Sequence, residues 1–470
     1  MVFSSITFLY YFLPLFLLVY YVTPKRGKNL VLFLGSLIFY AWGEPKYAVL
    51  MLISIFIGYF TSLWIEKGYK KTGLWIGVTV CFGFLFFFKY CNFFIENINL
   101  CIQEKLPLLK IALPIGISFY TFQIGSYIID VYYGRVKAQR NLLHLSTYIS
   151  MFPQLIAGPI VRYSDMYHQL EERQMTAENI AYGIKRFVIG LSKKALLANQ
   201  LGEFCHIFKM SDEKSVMFYW LYGVALILHY YFDFSGYSDM AIGLGRLCGF
   251  HFQENFNYPY MSKSITEFWR RWHISLGTWF RDYVYIPLGG NRKGIGKNIF
   301  NIFVVWMLTG FWHGADWNFI LWGFYFAVLL ILEKFVIAKI FKGKKAEKLQ
   351  KMKWVTHIYV WILLIISFVI FDNETLREIS ANLKGMFSFG KTELFSEECV
   401  YYFKSYFPLL FIGGFGATDF PKKWYEYVKK RALKNSVSVF MEGIAACFLL
   451  LLVTAYLIDG SFNPFLYFRF

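Results

Sequence analysis

Eight histidines occur in 470 residues, and two of them stand where an imidazole could move a proton. His313 lies in Thr309-Gly-Phe-Trp-His-Gly-Ala-Asp-Trp-Asn318, with a largely apolar stretch before it and another from Phe319 onward. An ionisable side chain inside a membrane is costly and is functional by default. An imidazole of ordinary pKa, about 6.5, exchanges protons near neutral pH. On a continuous helix, Thr309, Asp316 and Trp317 would share its face at spacings of three and four. Gly310 and Gly314 permit close backbone approach, for helix packing or for a substrate path. The competing reading is a structural histidine hydrogen-bonded inside a bundle. His273 follows Trp269-Arg-Arg-Trp272. That stretch reads either as a membrane-surface helix held by Arg270 and Arg271, or as a polar group lining the same cavity as His313.

Other chemistries find less in the chain. His229 and Asp233 are spaced i,i+4 and with His313 could suggest a metal site, but the spacing matches no metal signature and no His-Glu-x-x-His occurs. There is no Gly-x-Ser-x-Gly and no phosphate-binding loop ending in Lys-Ser/Thr. Gly243, Gly245 and Gly249 follow no strand pattern and fit helix packing better than a dinucleotide fingerprint. No serine or cysteine has a visible nucleophile setting, which points to direct attack by a substrate hydroxyl. The seven cysteines include no CxxC pair and read as small buried hydrophobes.

The elements that must position these residues are apolar helices. The chain is 57% hydrophobic and 17% charged, and a spanning helix needs roughly 20 mostly apolar residues. Runs start at Val2, Leu30, Tyr47, Leu74, Ile111, Met217, Ile299, Phe319, Val355, Phe407 and Val439. They predict an all-α polytopic membrane protein with about ten to twelve crossings. The first run has few positive charges before it and a long apolar core, so it is expected to be a retained span rather than a signal peptide. One integral membrane domain over 1–470 is expected, with scaffold spans in 1–110, a polar-centred region in 111–335 and further spans with basic loops in 336–470.

The net charge of +18 sits in clusters between runs rather than along a nucleic-acid surface. They are Lys25, Arg26 and Lys28; Lys67, Lys70 and Lys71; Arg135, Lys137 and Arg140; Lys342, Lys344, Lys345, Lys348, Lys351 and Lys353; and Lys422, Lys423, Lys429, Lys430, Arg431 and Lys434. The positive-inside rule puts these loops in the cytoplasm, held to anionic membrane lipids, and both termini outside. Two segments break the apolar pattern early. In Leu113–Gln123, Pro114 and Gly116 should interrupt a helix near Ser118, Thr121 and Gln123. In Phe152–Tyr163, Pro153, Gly158 and Pro159 make a re-entrant or surface-lying segment the better fit, with Gln154 inside it. Residues 164–210, carrying Lys185, Arg186, Lys193 and Lys194, read as amphipathic helix near the cytoplasmic face.

The run Glu267-Phe-Trp-Arg-Arg-Trp-His-Ile-Ser-Leu-Gly-Thr-Trp-Phe-Arg-Asp-Tyr-Val-Tyr-Ile-Pro-Leu-Gly-Gly-Asn-Arg292 resembles the membrane-bound O-acyltransferase family. Its Ile286–Arg292 ending resembles the alginate O-acetylase branch more than the D-alanyl-lipoteichoic-acid branch. The Thr309–Asn318 block, Pro153–Arg162, the opening Met1-Val-Phe-Ser-Ser and the closing Phe465–Phe470 resemble that family too.

The resemblance implies a ring of tilted spanning helices with re-entrant segments around a central passage, in the bacterial cytoplasmic membrane. It implies acyl transfer from a thioester to a hydroxyl, with acetyl-CoA as the donor and no bound cofactor. His313 matches the catalytic histidine and His273 the second histidine, a position that is asparagine in some distant relatives. In this setting His313 would take the proton of the attacking hydroxyl and return it to the leaving thiolate. Arg270, Arg271, Arg281 and Arg292 would meet donor phosphates or lipid headgroups. Asn318, Trp312 and His273 are unranked candidates for stabilising the oxyanion. Trp269, Asp316 and Gln154 would line the donor site or passage. The branch implies an extracytoplasmic or membrane-anchored partner acetyltransferase of the Ser-His-Asp (SGNH) type, alongside polysaccharide biosynthesis or export machinery. A transporter, a structural subunit of such a complex, or a D-alanyl transfer protein for teichoic acid are the alternatives.

Overall fold

The structure, a computed structural model, describes residues 1–156, 158–340, 352–432 and 435–459. Lys342, Lys344, Lys345, Lys348, Lys351, Lys434, Ala157 of the Pro153–Arg162 motif and the closing Phe465–Phe470 lie outside the described residues. Regular structure among the described residues is helical, apart from an isolated bridge between Phe389 and Thr392.

Among the described residues, six helices are long and apolar enough to cross a membrane: α1 (Pro45–Glu66), α2 (Lys70–Asn99), Ile295–His313, Trp317–Ile340, Trp354–Asp372 and Val437–Asp459. The protein is therefore an all-α, multi-pass membrane protein. Six is fewer than the ten to twelve expected from apolar runs. The helix over Phe8–Val22 is shorter, and the Leu30 run lies in a helix of 14 residues, Lys28–Ala41. The Ile111 run becomes helical only at α3 (Ile117–Tyr132). It starts late because Pro114 precedes it and Gly116 takes a left-handed turn at φ 75°.

The chain forms two compact units. In the first, comprising Met1–Leu191 and Tyr237–Gln253, α1, α2 and α3 pack together. A methyl group on Gly77 would stand 2.7 Å from Ile128 and 2.8 Å from the Thr61 hydroxyl. In lipid, where apolar surface gains little by leaving its surroundings, small residues of this kind let helices close by dispersion contacts. Nearly every side chain of α3 is buried, Ser118, Thr121 and Gln123 included. The Phe152–Tyr163 segment has one short helix, Phe152–Leu155, and irregular backbone from Gly158 to Arg162, and its described residues are buried apart from the half-exposed Arg162. Two of its backbone polar groups are met internally. The Ser36 hydroxyl accepts from the Phe152 N–H at 3.0 Å, and the Tyr148 hydroxyl donates to the Val161 carbonyl at 2.8 Å. The opening motif packs here also, with Phe3 stacked 4.8 Å from Tyr237.

The second unit comprises Ser192–Gly236 and Glu254–Tyr456. Here the Val216–Gly236 part of α4 (Val216–Leu247) carries His229 and Asp233. Next come two short helices, α5 (Ile265–Arg271) and α6 (Ile274–Phe280). A hairpin of α7 (Ile295–His313) and α8 (Trp317–Ile331) follows, and then α9 (Lys353–Asp372). Ser264 caps α5 by accepting from the Glu267 N–H at 3.0 Å. The Glu333 carboxylate takes the Ile265 and Thr266 N–H groups at 2.7 and 2.8 Å, so a spanning helix pins the start of α5. Lys194, expected on an amphipathic surface, is fully buried and ion-paired with Asp233. A buried ammonium requires such a partner.

Candidate active site

His313 is the last residue of α7. Gly314 is extended and Asp316 begins the next helix as its N-cap. The helix does not run on, so Asp316 and Trp317 leave the face of His313 and only Thr309 keeps it. Asp316 is exposed, and Trp317 is 52% exposed. The break exists because α7 turns back into α8 at this point. A methyl on Gly310 would stand 2.3 Å from the Phe319 carbonyl oxygen and 3.0 Å from the Gly323 Cα. Of the two uses open to Gly310, the structure shows helix packing.

The imidazole of His313 meets three aromatic rings edge to face. Trp312 lies at 4.9 Å, Trp322 at 5.1 Å and Phe371 at 5.2 Å. Such contacts are worth about 0.5–1.5 kcal/mol each and fix a ring's orientation. Trp312 also lies 5.9 Å from the ring of His273. One indole thus touches both histidines, which the sequence places forty residues apart.

His273 is the N-cap of α6, in the left-handed region at φ 45°, and 1% exposed. Its Nδ1 lies 3.2 Å from Asn255 Oδ1. That oxygen also accepts the Ser275 N–H at 3.1 Å and the Ser275 hydroxyl at 2.9 Å. Nε2 is buried with no hydrogen-bond partner among the described residues. Burial without a countercharge pushes the imidazole down to about 3, so it is neutral. Asn255 was not among the sequence candidates. An asparagine eighteen residues before a histidine carries no periodic signal that would single it out.

His273 lines a cavity of 510 Å³, together with Trp269, Arg270, Arg281, Trp306 and Thr309. His313 does not line it but adjoins its wall. Trp322, beside His313, packs 5.6 Å from Trp269, and Trp269 packs 4.5 Å from Trp306. The indole N–H groups of Trp269 and Trp322 are buried without acceptors among the described residues. Donors in that condition are available to an oxyanion or carbonyl. Trp322 had no sequence signal beyond being one of fourteen tryptophans. A second cavity of 820 Å³ shares Thr266, Arg270, Tyr285 and Trp306 with the first and adds Lys263 and Lys334.

The arginines separate. Arg270 is exposed, lines both cavities and forms no ion pair among the described residues. Arg271 is bound to Glu267 at 2.8 Å and to the Asn257 carbonyl at 3.2 Å, and lines neither cavity. These contacts brace α5. Arg281 lines the first cavity and pairs with Asp282 at 2.8 Å. Arg292 is exposed. Asn318 donates to the Phe371 carbonyl at 3.0 Å, which commits one of its two amide hydrogens. Gln154 belongs to the first unit, where its amide donates to the Tyr148 carbonyl at 2.6 Å. The metal constellation does not assemble. His229 donates from Nδ1 to the Ala198 carbonyl at 2.7 Å, and Asp233 is taken by Lys194.

Residues 46–372 match the model of the membrane-bound O-acyltransferase family, and that span holds every residue of this cavity. The chain belongs to the membrane-bound O-acyltransferase family. It is 43% identical over 400 residues to the "Probable alginate O-acetylase AlgI" of Azotobacter vinelandii, covering 83% of this chain and 79% of that protein. The protein of the same name from Pseudomonas putida is 37% identical across the full length of both chains. The "Peptidoglycan O-acetyltransferase" of Helicobacter pylori is 36% identical over 71% of this chain and 70% of its own. Membership of the acyltransferase family and its alginate O-acetylase-like branch agrees with the motifs around His273 and His313.

Proposed function

We propose that this membrane acyltransferase moves acetyl groups from a cytoplasmic thioester, acetyl-CoA, for O-acetylation of an exported cell-surface polysaccharide. The observation that carries the reading is the pairing of two histidines about Trp312, one of them on a cavity with an unpaired arginine at its edge. The names of the relatives, an alginate O-acetylase and a peptidoglycan O-acetyltransferase, support acetyl as the group and a polysaccharide as the final acceptor.

In this reading Arg270, and Arg281 beside it, attract the phosphates of the donor. The thioester carbonyl lies against the cavity wall, where the Trp269 and Trp322 indoles offer N–H groups to the developing oxyanion. A hydroxyl oxygen attacks the carbonyl carbon, the C–O bond forms and the C–S bond breaks. His313 takes the hydroxyl proton and delivers it to the leaving thiolate, so the products are an ester and a free thiol. The hydroxyl belongs to the sugar or to a membrane-anchored SGNH-type partner that passes acetyl onward outside the bacterial cytoplasmic membrane. Basic loops in the cytoplasm and both termini outside fit that direction.

The test is His313→Ala at matched protein level, with O-acetylation of cell polymers read by mass spectrometry. A fall of about 10²–10⁴-fold is expected, and undiminished acetylation ends the catalytic assignment. Acyl transfer by the purified chain in vesicles separates an enzyme from a transporter or an assembly subunit.

A further inference from the structure

We propose that Asn255 is a positioning residue that holds His273 in its Nδ1–H form, so that Nε2 accepts the hydroxyl of the acyl acceptor. Geometry fixes the tautomer. The Ser275 backbone N–H can only donate, and it points at the same atom of Asn255 that His273 Nδ1 approaches. That atom is therefore the amide oxygen, and Nδ1 must carry the hydrogen. Nε2 keeps the lone pair. Asn255 does not line the cavity and His273 does, so Nε2 is the ring nitrogen left for a ligand. It is buried with no partner among the described residues. A buried acceptor without a donor costs free energy unless something that enters supplies one.

A lone pair selects its ligand. It repels a thioester carbonyl or an oxyanion, which removes His273 from the oxyanion donors considered for this site. Of the two substrates, the acceptor alcohol presents an O–H at the reacting atom, and the thioester presents none there. His273 therefore stands on the acceptor side: the single hydroxyl hydrogen rests on Nε2 while the acceptor docks, and as the oxygen attacks it turns to His313, which takes it as the proton. The hydrogen bond shifts no covalent bond of its own. The backbone serves the same end. His273 adopts a left-handed conformation, and the Ile274 N–H donates to the Asn255 carbonyl at 3.0 Å. Asn255 thus binds the start of α6 through both its main chain and its side chain.

The inference rests on the acyl-transfer reading only for its kinetic half, and the first experiment is independent of activity. The full chain is labelled with ¹⁵N-histidine, reconstituted in vesicles and examined by solid-state NMR, with His273→Gln assigning the signal. The expected result is a neutral ring with Nδ1 protonated. A protonated Nε2 overturns the proposal whatever the protein does. The second experiment compares variants kinetically, varying donor and acceptor separately. Asn255→Asp keeps the acceptor oxygen and should retain most of the rate. Ser275→Ala leaves the Ser275 N–H in place and should be close to the parent. Asn255→Leu should lose roughly 10- to 100-fold in acceptor kcat/KM, the size of effect seen when the orienting partner of a metal-ligating histidine is removed, with donor KM unchanged. Equal losses for Asn255→Asp and Asn255→Leu, or a loss confined to donor KM, refute it. If Asn255→Leu does not fold, the NMR tautomer and the Asn255→Asp rate still decide.

Discussion

Replacing Gly310 with alanine should slow the reaction without unfolding the protein. The added Cβ would stand 2.3 Å from the Phe319 carbonyl oxygen and 3.0 Å from the Gly323 Cα. Both are main-chain atoms of α8, so no side chain can swing aside. Ordinary contact begins near 3.4 Å, so α7 and α8 must separate by roughly 1 Å. Overpacking of this kind costs about 1–3 kcal/mol, and alanine recovers about 1 kcal/mol of helix propensity over glycine. His313 lies three residues further along α7 and is gripped by Trp322 of α8. Opening the hairpin therefore moves the imidazole relative to its own wall. A displacement near 1 Å at a reacting group costs about 10²-fold in rate. The assay is acetyl transfer by purified protein in vesicles, with thermal unfolding of the same samples. Gly296→Ala is the internal control, because it lies on the same helix with nothing within 4 Å of its Cβ. It should leave the rate unchanged. Parental rate and stability in Gly310→Ala would refute the claim that this hairpin sets the position of His313.

Three further outcomes are expected. Lys194→Met should destabilise by about 3–5 kcal/mol, because it leaves Asp233 buried without its cation, and Lys194→Met with Asp233→Leu should recover most of that loss; thermal unfolding of all three variants measures the coupling. Arg270→Gln should raise the donor KM several-fold, less so at high salt, while Arg271→Gln should leave KM alone and cost no more than about 1 kcal/mol of stability, since its pair with Glu267 is only half shielded. The third concerns pH. His273 is held well below its unfolded value by burial, so below about pH 6.5 the unfolded chain binds a proton that the folded chain refuses. Its contribution is complete above that pH and falls as pH drops toward about 3. Unfolding scans across this range should show a slope that His273→Gln flattens.

The membrane character and the two histidine blocks were legible because each is a local signal. Apolar runs announce themselves by length, and the Trp269–His273 and Thr309–Asn318 stretches concentrate polar and aromatic residues where none are expected. What joins those blocks is not local. Trp312 is a candidate from its motif, but nothing in the sequence tells that it bridges the histidines, and Trp322, which backs His313, does not differ in sequence from a tryptophan at a lipid boundary. Helix periodicity misplaced Asp316 and Trp317 because it assumes the helix continues, whereas the Gly310 and Gly323 contact folds the chain back at His313. Counting apolar runs gave more crossings than the six long apolar helices among the described residues, for a related reason. Pro114 and Gly116 spend part of one run outside any helix. Arg270 and Arg271 are neighbours of one type, and only the fold tells that one faces the cavity while the other braces α5.

The left-handed backbone of His273 has an evolutionary consequence. An ordinary side chain at φ 45° sits in a conformation that costs roughly 1–3 kcal/mol and that glycine and asparagine occupy most easily. Selection for stability alone would therefore push this position toward those two residues. Glycine would relax the turn and abolish the ring. Asparagine would relax it and still donate to Asn255, but it would end short of the place where Nε2 waits. A histidine kept here is held against the preference of its own main chain. His273→Gly should give a protein more stable than His273→Ala and equally idle.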